Sequence, residues 1–551
     1  MLLLLLPAAG RLLNGGSYTI NRWTWATAML AGWISVRAAA DLLDLTLVRG
    51  KAGPARSFAL LLPALTLCSV AWNIVYGFAP GLRAFPQEFL DRMSSTEFYA
   101  LATDNEVAAV AAVGGQDDHE FFRYSGRNLN WNAALGSGLS STQFEFSFAN
   151  GTVSDYYQLI GMNEQQNFAW FALDDRMLAS SLAGGRYYTL AYDNYYEYRF
   201  IPYGFVDLGM TGSYHVYENP NALPLGYAVD TVISRAELQK LPLAVREETL
   251  TCAAVVEEAE TGSLPEMISA ETESIANPSF RILTAEDALA KSRTVEVPFT
   301  VRCGDGVRFE ESRFTVSGDE RWAVLSFDGE SFCETLVGLE GLTVTGSDAL
   351  YNIDFTLLRD GEDYVTKTLP YKTPELQYYS DWHDFLVNLC YSEEAAKELR
   401  IDFPANGVYS FDRLSVVCRP MADFPEKLQA LGETRLANIH LHENPISRAT
   451  NEITGELALD KDALLVLNLP YTTGFSAWVD GERTSLWKTD AMFLSLPVSA
   501  GAHDIRIVYR TPGLLAGLLC SALGLLLVLG MAFLRTGDVE GHRPREKGKL
   551  R

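Results

Sequence analysis

His440 and His442 stand two residues apart in an alternating run, so both imidazoles project from one face of a strand, with Glu443 beside them. Imidazole nitrogens and a carboxylate are zinc ligands, yet a catalytic zinc takes three protein ligands and a structural one four. No third ligand stands at a matching spacing, so two solvent-facing histidines are the plainer reading. Cys252, Cys303, Cys333, Cys390 and Cys418 are widely spaced and odd in number, too sparse for a disulfide framework, although one Cys303–Cys333 bridge stays open. Cys68 and Cys520 lie in apolar runs and read as small hydrophobes. Glu257, Glu258 and Glu260 read as a solvated charged face. No P-loop, GxGxxG or GxSxG stands in the context its chemistry needs, no CxxC pair suggests zinc, and no cofactor or metal is expected. Tyr124, Trp131, Tyr156, Tyr157 and Tyr217 belong to a Tyr- and Asn-rich block whose rings could stack on sugars or pack a core. Asn14, Tyr18, Arg22 and Trp23 lie in NGGSYTINRW, a Gly/Asn/Ser loop in which Asn14-Gly15 reads as a turn and Arg22-Trp23 as an interfacial pair.

The elements that must hold these residues are set by hydropathy. Gly513–Leu534 is uncharged and Leu-rich; as a helix it is roughly 33 Å long, enough for a hydrocarbon core of about 30 Å. The basic tail 535–551 that follows belongs on the cytoplasmic side, which puts the preceding residues outside. Ser57–Pro80 is a second uncharged crossing, entered from the basic stretch Val48–Arg56, and 23–47 is a further probable span interrupted by Arg37, Asp41 and Asp44. The opening MLLLLLPAAGRLL lacks a cationic start and reads as the outer end of a membrane helix rather than as a secretion signal. The chain of 551 residues carries a formal net charge of −25, which argues against nucleic-acid binding.

The expected architecture is a membrane protein with few transmembrane helices and a large extracytoplasmic ectodomain, first α/β and then all-β. Residues 1–80 form the membrane region, 81–245 a mixed α/β domain, 246–512 a β-sandwich-type region, 513–534 the last membrane helix and 535–551 a cytoplasmic tail. Short helices are expected at Asp155–Gly161, Asp174–Ser180 and Phe424–Leu431. Alternating strands such as TVEVPFTVRC, RWAVLSF, ALLVLNLP and HDIRIVYR, punctuated by Asp-Gly turns, suit a β-sandwich.

Several stretches resemble the bacterial YfhO-type membrane proteins, a family of the GT-C glycosyltransferase class. They are NGGSYTINRW at Asn14–Trp23, the run FRYSGRNLNWNAALGSGLSSTQFEFSFANGTVSDYYQLIG at Phe122–Gly161, RYY at Arg186–Tyr188, YENPNALPLG at Tyr217–Gly226, and the closing module Leu469–Gly513. The resemblance implies a bacterial multi-pass cell-membrane protein that transfers a sugar from a polyprenyl-phosphate carrier to an envelope glycopolymer. It makes Arg22 the candidate phosphate partner, because a guanidinium fork matches phosphate oxygens. Asn14 and Tyr18 would face sugar hydroxyls, with Trp23 at the lipid interface. Family members carry about ten helices and an acidic external loop ahead of the NG..Y..NRW loop. No residue here inherits that catalytic role, so the resemblance implies a separate multi-helix membrane subunit, a fragment or a degenerate gene product. The alternative is a non-enzymatic, membrane-anchored carbohydrate-binding or scaffold protein.

Overall fold

The computed structural model describes residues 33–34, 37, 106–114, 121–126, 132, 134, 139–145, 150–163, 169–170, 173–191, 201–257, 280–376, 379–443 and 450–540. Asn14, Tyr18, Arg22, Trp23 and the expected span 57–80 lie outside the described residues, as does almost all of 23–47. The chain divides into two units, residues 1–104 with 374–379, and residues 105–373 with 380–551. In the first, Trp33, Ile34 and Arg37 are helical.

The second unit is mostly β-sheet. Its first sheet has five strands in the order 140–141, 123–126, 185–191, 214–218, 206–211, with Arg123–Gly126 parallel to both of its neighbours. A seven-stranded sheet follows the order 281–282, 231–234, 254–256, 487–489, 493–498, 463–470, 226–229, and so joins strands from either side of residue 245. Residues 295–420 build three further sheets, of four, five and four strands. The last five-stranded sheet is ordered 437–443, 450–459, 501–509, 475–479, 482–484.

Alternation explains how the last two modules stack. In strand Ala463–Pro470, Leu464 and Val466 enter the large central core, while Leu465 and Leu467 enter a second core with Leu457, Leu459, Ala477, Ile505 and Ile507 of the last sheet. Both faces of this strand are therefore buried, which is why its first five residues, ALLVL, are apolar without interruption instead of alternating. Two sheets packed face to face over one apolar layer are the sandwich arrangement. Cys303 and Cys333 fall on strands of different sheets and both are free thiols, so the bridge left open in the sequence is not formed.

Two expected helices form close to their anticipated places, Gly151–Leu159 capped by the Asn150 side chain, and Phe424–Glu433 with a proline in its first turn. The third is displaced. Leu173, Asp174 and Asp175 have φ of 52°, 53° and 56°, so the helix expected from Asp174 starts at Met177. Three successive left-handed residues with side chains are costly and persist only where their surroundings hold them. Here Asp174 Oδ2 accepts from the Asn163 N–H at 2.6 Å, and Asp175 accepts from Tyr188 Oη at 3.0 Å and Lys367 Nζ at 2.5 Å.

Those contacts lead into a buried charge network. Arg176 donates to the carbonyls of Ile160 at 2.8 Å, Gly161 at 2.9 Å and Leu386, and lies 3.8 Å from Glu247. Arg419 donates to Glu247 Oε2 at 2.8 Å and to the Ala244 carbonyl at 2.7 Å, and stands 3.6 Å from Glu334. Arg176, Arg419, Glu247 and Glu334 are all fully buried. Burial pushes the Glu334 carboxyl up to about 7 from 4.5, against the opposing pull of Arg419.

Replacing Arg419 by Met strands two carboxyl groups without their cation. We expect a loss of about 3–5 kcal/mol, read as a lower denaturant midpoint. Folded Glu334 keeps a proton that the unfolded chain releases above pH 4.5, so its contribution is full at low pH and is lost as pH rises towards about 7. Glu334→Gln should flatten that fall in thermal midpoint across the same window; an unchanged slope contradicts the assignment.

Candidate functional site

The family-like motifs meet at one place. Arg123, at the start of its strand, sends its guanidinium to the Ala183 carbonyl at 2.8 Å and to Asn468 Oδ1 at 2.9 Å. Burial lowers its pKa to about 10. Asn468 in turn donates through Nδ2 to the Pro224 carbonyl at 3.0 Å, and its backbone N–H donates to the Leu225 carbonyl at 2.9 Å. Arg123 and this buried amide together tie three segments distant in sequence: FRYSG, the turn after Leu182, and NALPLG. Gly184 makes the approach possible. Its φ is +71°, and a Cβ there would stand 2.6 Å from Asn468 Nδ2.

Asn219 organises the run from Tyr217 to Gly226. Its Nδ2 donates to Ser181 Oγ and to the Gly185 carbonyl, both at 3.0 Å, and its Oδ1 accepts the Asn221 N–H at 3.1 Å in an Asx turn. The backbone closes the same turn, from the Asn219 N–H to the Arg186 carbonyl at 2.7 Å and from the Leu223 N–H to the Ser181 carbonyl at 2.9 Å. Leu436 N–H then caps Gly226 at 3.0 Å and brings the start of strand Ala437–Glu443 alongside.

The result is an open cleft of about 530 Å³. Ala222–Leu225 form one wall, Phe121 and Phe122 another, and Arg186, Arg435, Asn438 and His440 supply the polar groups. Arg186 is paired with Glu218 at 3.1 Å and lies over the Tyr187 ring, and Phe122 meets the same ring edge-on at 5.1 Å. Asn438 Nδ2 donates to Glu456 Oε2 at 2.7 Å. Guanidinium, amide and imidazole groups beside aromatic edges suit a hydroxyl-rich or anionic ligand.

A model of the family described as "Bacterial membrane protein YfhO" matches residues 86–521. The chain belongs to the YfhO family. A YfhO relative, the uncharacterized protein YfhO of Bacillus subtilis (strain 168), is 23% identical over 372 residues, covering 67% of this chain and 38% of its own length. The chain therefore spans well under half of that YfhO protein. Among solved structures, the chain is similar to arabinofuranosyltransferase AftD from Mycobacteria, at 8% identity over 84% of this chain and 59% of the other, with a TM-score of 0.22. It is also similar to the CBM22-1–CBM22-2 tandem of Paenibacillus barcinonensis Xyn10C, at 12% identity over 40% and 85%, with a TM-score of 0.15. Scores that low do not establish a shared fold.

Within this YfhO chain, Tyr124, Tyr156, Tyr157 and Tyr217 are buried and pack the core, so none offers a face to a sugar; Trp131 lies outside the described residues. His440 and His442 share a strand face with ring centroids 6.5 Å apart, and His442 bonds Thr454 Oγ1 at 2.8 Å. No group of three or more His, Cys, Asp or Glu among the described residues is placed to hold a metal. Glu257 is part of an ion-pair set, 3.0 Å from Arg235 and 3.3 Å from Lys488, rather than a solvated charge. Sequence reasoning missed Arg186 and Arg435 as cleft residues, and Arg123 and Asn468 as the clamp behind them; the local signal at Arg123 and Arg186 was their place inside the matched motifs. Gly184→Ala should lower stability by about 1–3 kcal/mol and release Asn468 from Pro224, measured as a lower thermal midpoint. An unchanged midpoint would contradict the clamp.

Proposed function

We propose that this chain forms the extracytoplasmic part of a membrane-bound, glycosyltransferase-like protein of the bacterial cell envelope, and that the cleft at Arg186 and Arg435 receives the acceptor glycan. The observation that carries this reading is convergence. The three family-like stretches FRYSG, RYY and YENPNALPLG, separated by tens of residues, fold against one polar opening. A stretch needed only for packing has no reason to leave guanidinium, amide and imidazole groups around open space.

The membrane attachment belongs to the same proposal. A helix runs from Leu514 to Glu540, and its leucines stand in the open, Leu515 at 71% and Leu526 at 65% exposure. Its side chains are described only for 514–527 and 529–530, and among the described residues no helix is long and apolar enough to cross a membrane. The uncharged sequence continues to Leu534, and on our reading the whole stretch crosses, with the preceding chain outside. Multi-pass anchoring through 23–47 and 57–80 is part of this proposal. So are a polyprenyl-phosphate sugar as donor and the assignment of Arg22 to its phosphate, with Asn14, Tyr18 and Trp23 around the sugar and lipid.

A non-enzymatic carbohydrate-binding role is favoured by one observation, the cleft's lining of guanidinium, amide and imidazole groups beside aromatic edges. A transfer assay separates the two readings. In membranes carrying the full chain, Arg435→Ala should lower sugar incorporation into the envelope polymer about tenfold, the loss of about 1.4 kcal/mol of acceptor binding. Arg22→Ala should abolish transfer while leaving insertion intact. Binding of polymer without any transfer dependent on this chain favours the non-enzymatic role, and transfer unaffected by either variant contradicts the assignment.

A further inference from the structure

The last five-stranded sheet has one face in the second core, through Leu457, Ala477, Ile505 and Ile507, and the other open. The open face carries a cleft of about 450 Å³, separate from the first but sharing Asn438 and His440 with it. Its lining includes Thr454, Glu456, Trp478, Asp504 and Arg506. Strand register sets five of the face's residues in a row straight across the sheet: His440 opposite Thr454, Thr454 opposite Arg506, Arg506 opposite Trp478, and Trp478 opposite Arg483. At about 4.8 Å between strands the row is roughly 19 Å long.

A sheet face meant only for water has no use for an indole, yet Trp478 stands half-buried there beneath the Arg506 guanidinium, 5.0 Å from the ring centroid. Glu452 holds that guanidinium at 2.7 and 3.3 Å and neutralises it. The carboxylates Glu456 and Asp504 also face the cleft, so no surplus of cation calls for an anionic ligand. What remains is an alternation of donors and acceptors around one aromatic ring, the chemistry that recognises hydroxyl groups on a flat sugar. Strand spacing is comparable with the length of one pyranose residue. The register shift between Ala437 and His440, with Asn438 at φ 48°, turns that residue towards the lip common to both clefts.

We propose that this face binds a linear, neutral, hydroxyl-rich glycan several residues long, laid across the strands over the stacked Trp478–Arg506 pair and leading towards the Arg435 cleft. The site stands whether or not the chain takes part in transfer.

The test is calorimetric titration of the full chain in lipid nanodiscs with cellohexaose, maltohexaose, xylohexaose and chitohexaose, and with the corresponding monosaccharides. At least one hexasaccharide should bind, about tenfold or more tighter than its monosaccharide. Trp478→Ala should weaken that binding about tenfold or more, and Trp478→Phe by less. The thermal midpoint of each variant confirms folding, and Trp478→Phe carries the test if the alanine variant fails to fold. Arg435→Ala should retain the Trp478-dependent binding while it lowers transfer about tenfold, which keeps this site distinct from the first. The proposal is overturned if no hexasaccharide binds, if monosaccharides bind equally well, if the Trp478 variants bind as the parent does, or if polyglycerol phosphate outcompetes every neutral chain.

Discussion

Four fully buried ionic side chains, Arg176, Glu247, Arg419 and Glu334, hold the second unit of the structure together. Arg176 reaches from the Asp-Asp-Arg turn to the carbonyls of Ile160 and Gly161 behind it and of Leu386 in another sheet. Arg419 carries the link onward to the helix Leu243–Thr249 and to strand Cys333–Glu340. Charges this deep are costly unless each has its partner and its hydrogen bonds, so the network tolerates little displacement of the segments it joins. The left-handed turn at Leu173–Asp175 is held in the same place by Asn163, Tyr188 and Lys367. Fixing that turn fixes the helix Met177–Leu182 and the Gly184 bend after it, and these form the wall against which Asn219 and Asn468 build the cleft.

A second constraint works alongside the charges. Strand Ala463–Pro470 lies between two cores and carries near its end Asn468, whose amide reaches both Arg123 and Pro224. Its apolar faces set the strand's depth, and the polar residue near its end then has one position available. The C-terminal module is for that reason part of the first cleft's construction, and Ala437–Glu443 gives the cleft its open side. A single strand, through Asn438 and His440, borders both openings.

Much of the secondary structure was legible because periodicity is local. Alternation marked strands such as Trp322–Phe327 and Gly501–Tyr509, and two of the three expected short helices form near their anticipated places. The left-handed turn was not legible, since Asp-Asp-Arg before an apolar run reads as a helix start and only tertiary partners impose the alternative. The cleft was legible in part. Its motifs were visible as segments, but their meeting depends on the contact between Arg123 and Asn468, which are 345 residues apart and have no joint pattern in the chain. The aromatic block left packing and sugar stacking both open, because a tyrosine in a core and one on a surface are identical in sequence, and burial decides for the core at Tyr124, Tyr156, Tyr157 and Tyr217. The residues chosen by resemblance, Asn14, Tyr18, Arg22 and Trp23, lie outside the described residues.

The account's central claim is that the lip shared by the two clefts faces outward from the cell and holds glycan. Asn438→Cys in intact cells, treated with a membrane-impermeant maleimide and compared with the parent chain, tests it directly. The account predicts labelling above the parent without permeabilisation, slowed when purified envelope glycopolymer is added. Labelling that needs permeabilised cells, or that the polymer leaves unchanged, would contradict it.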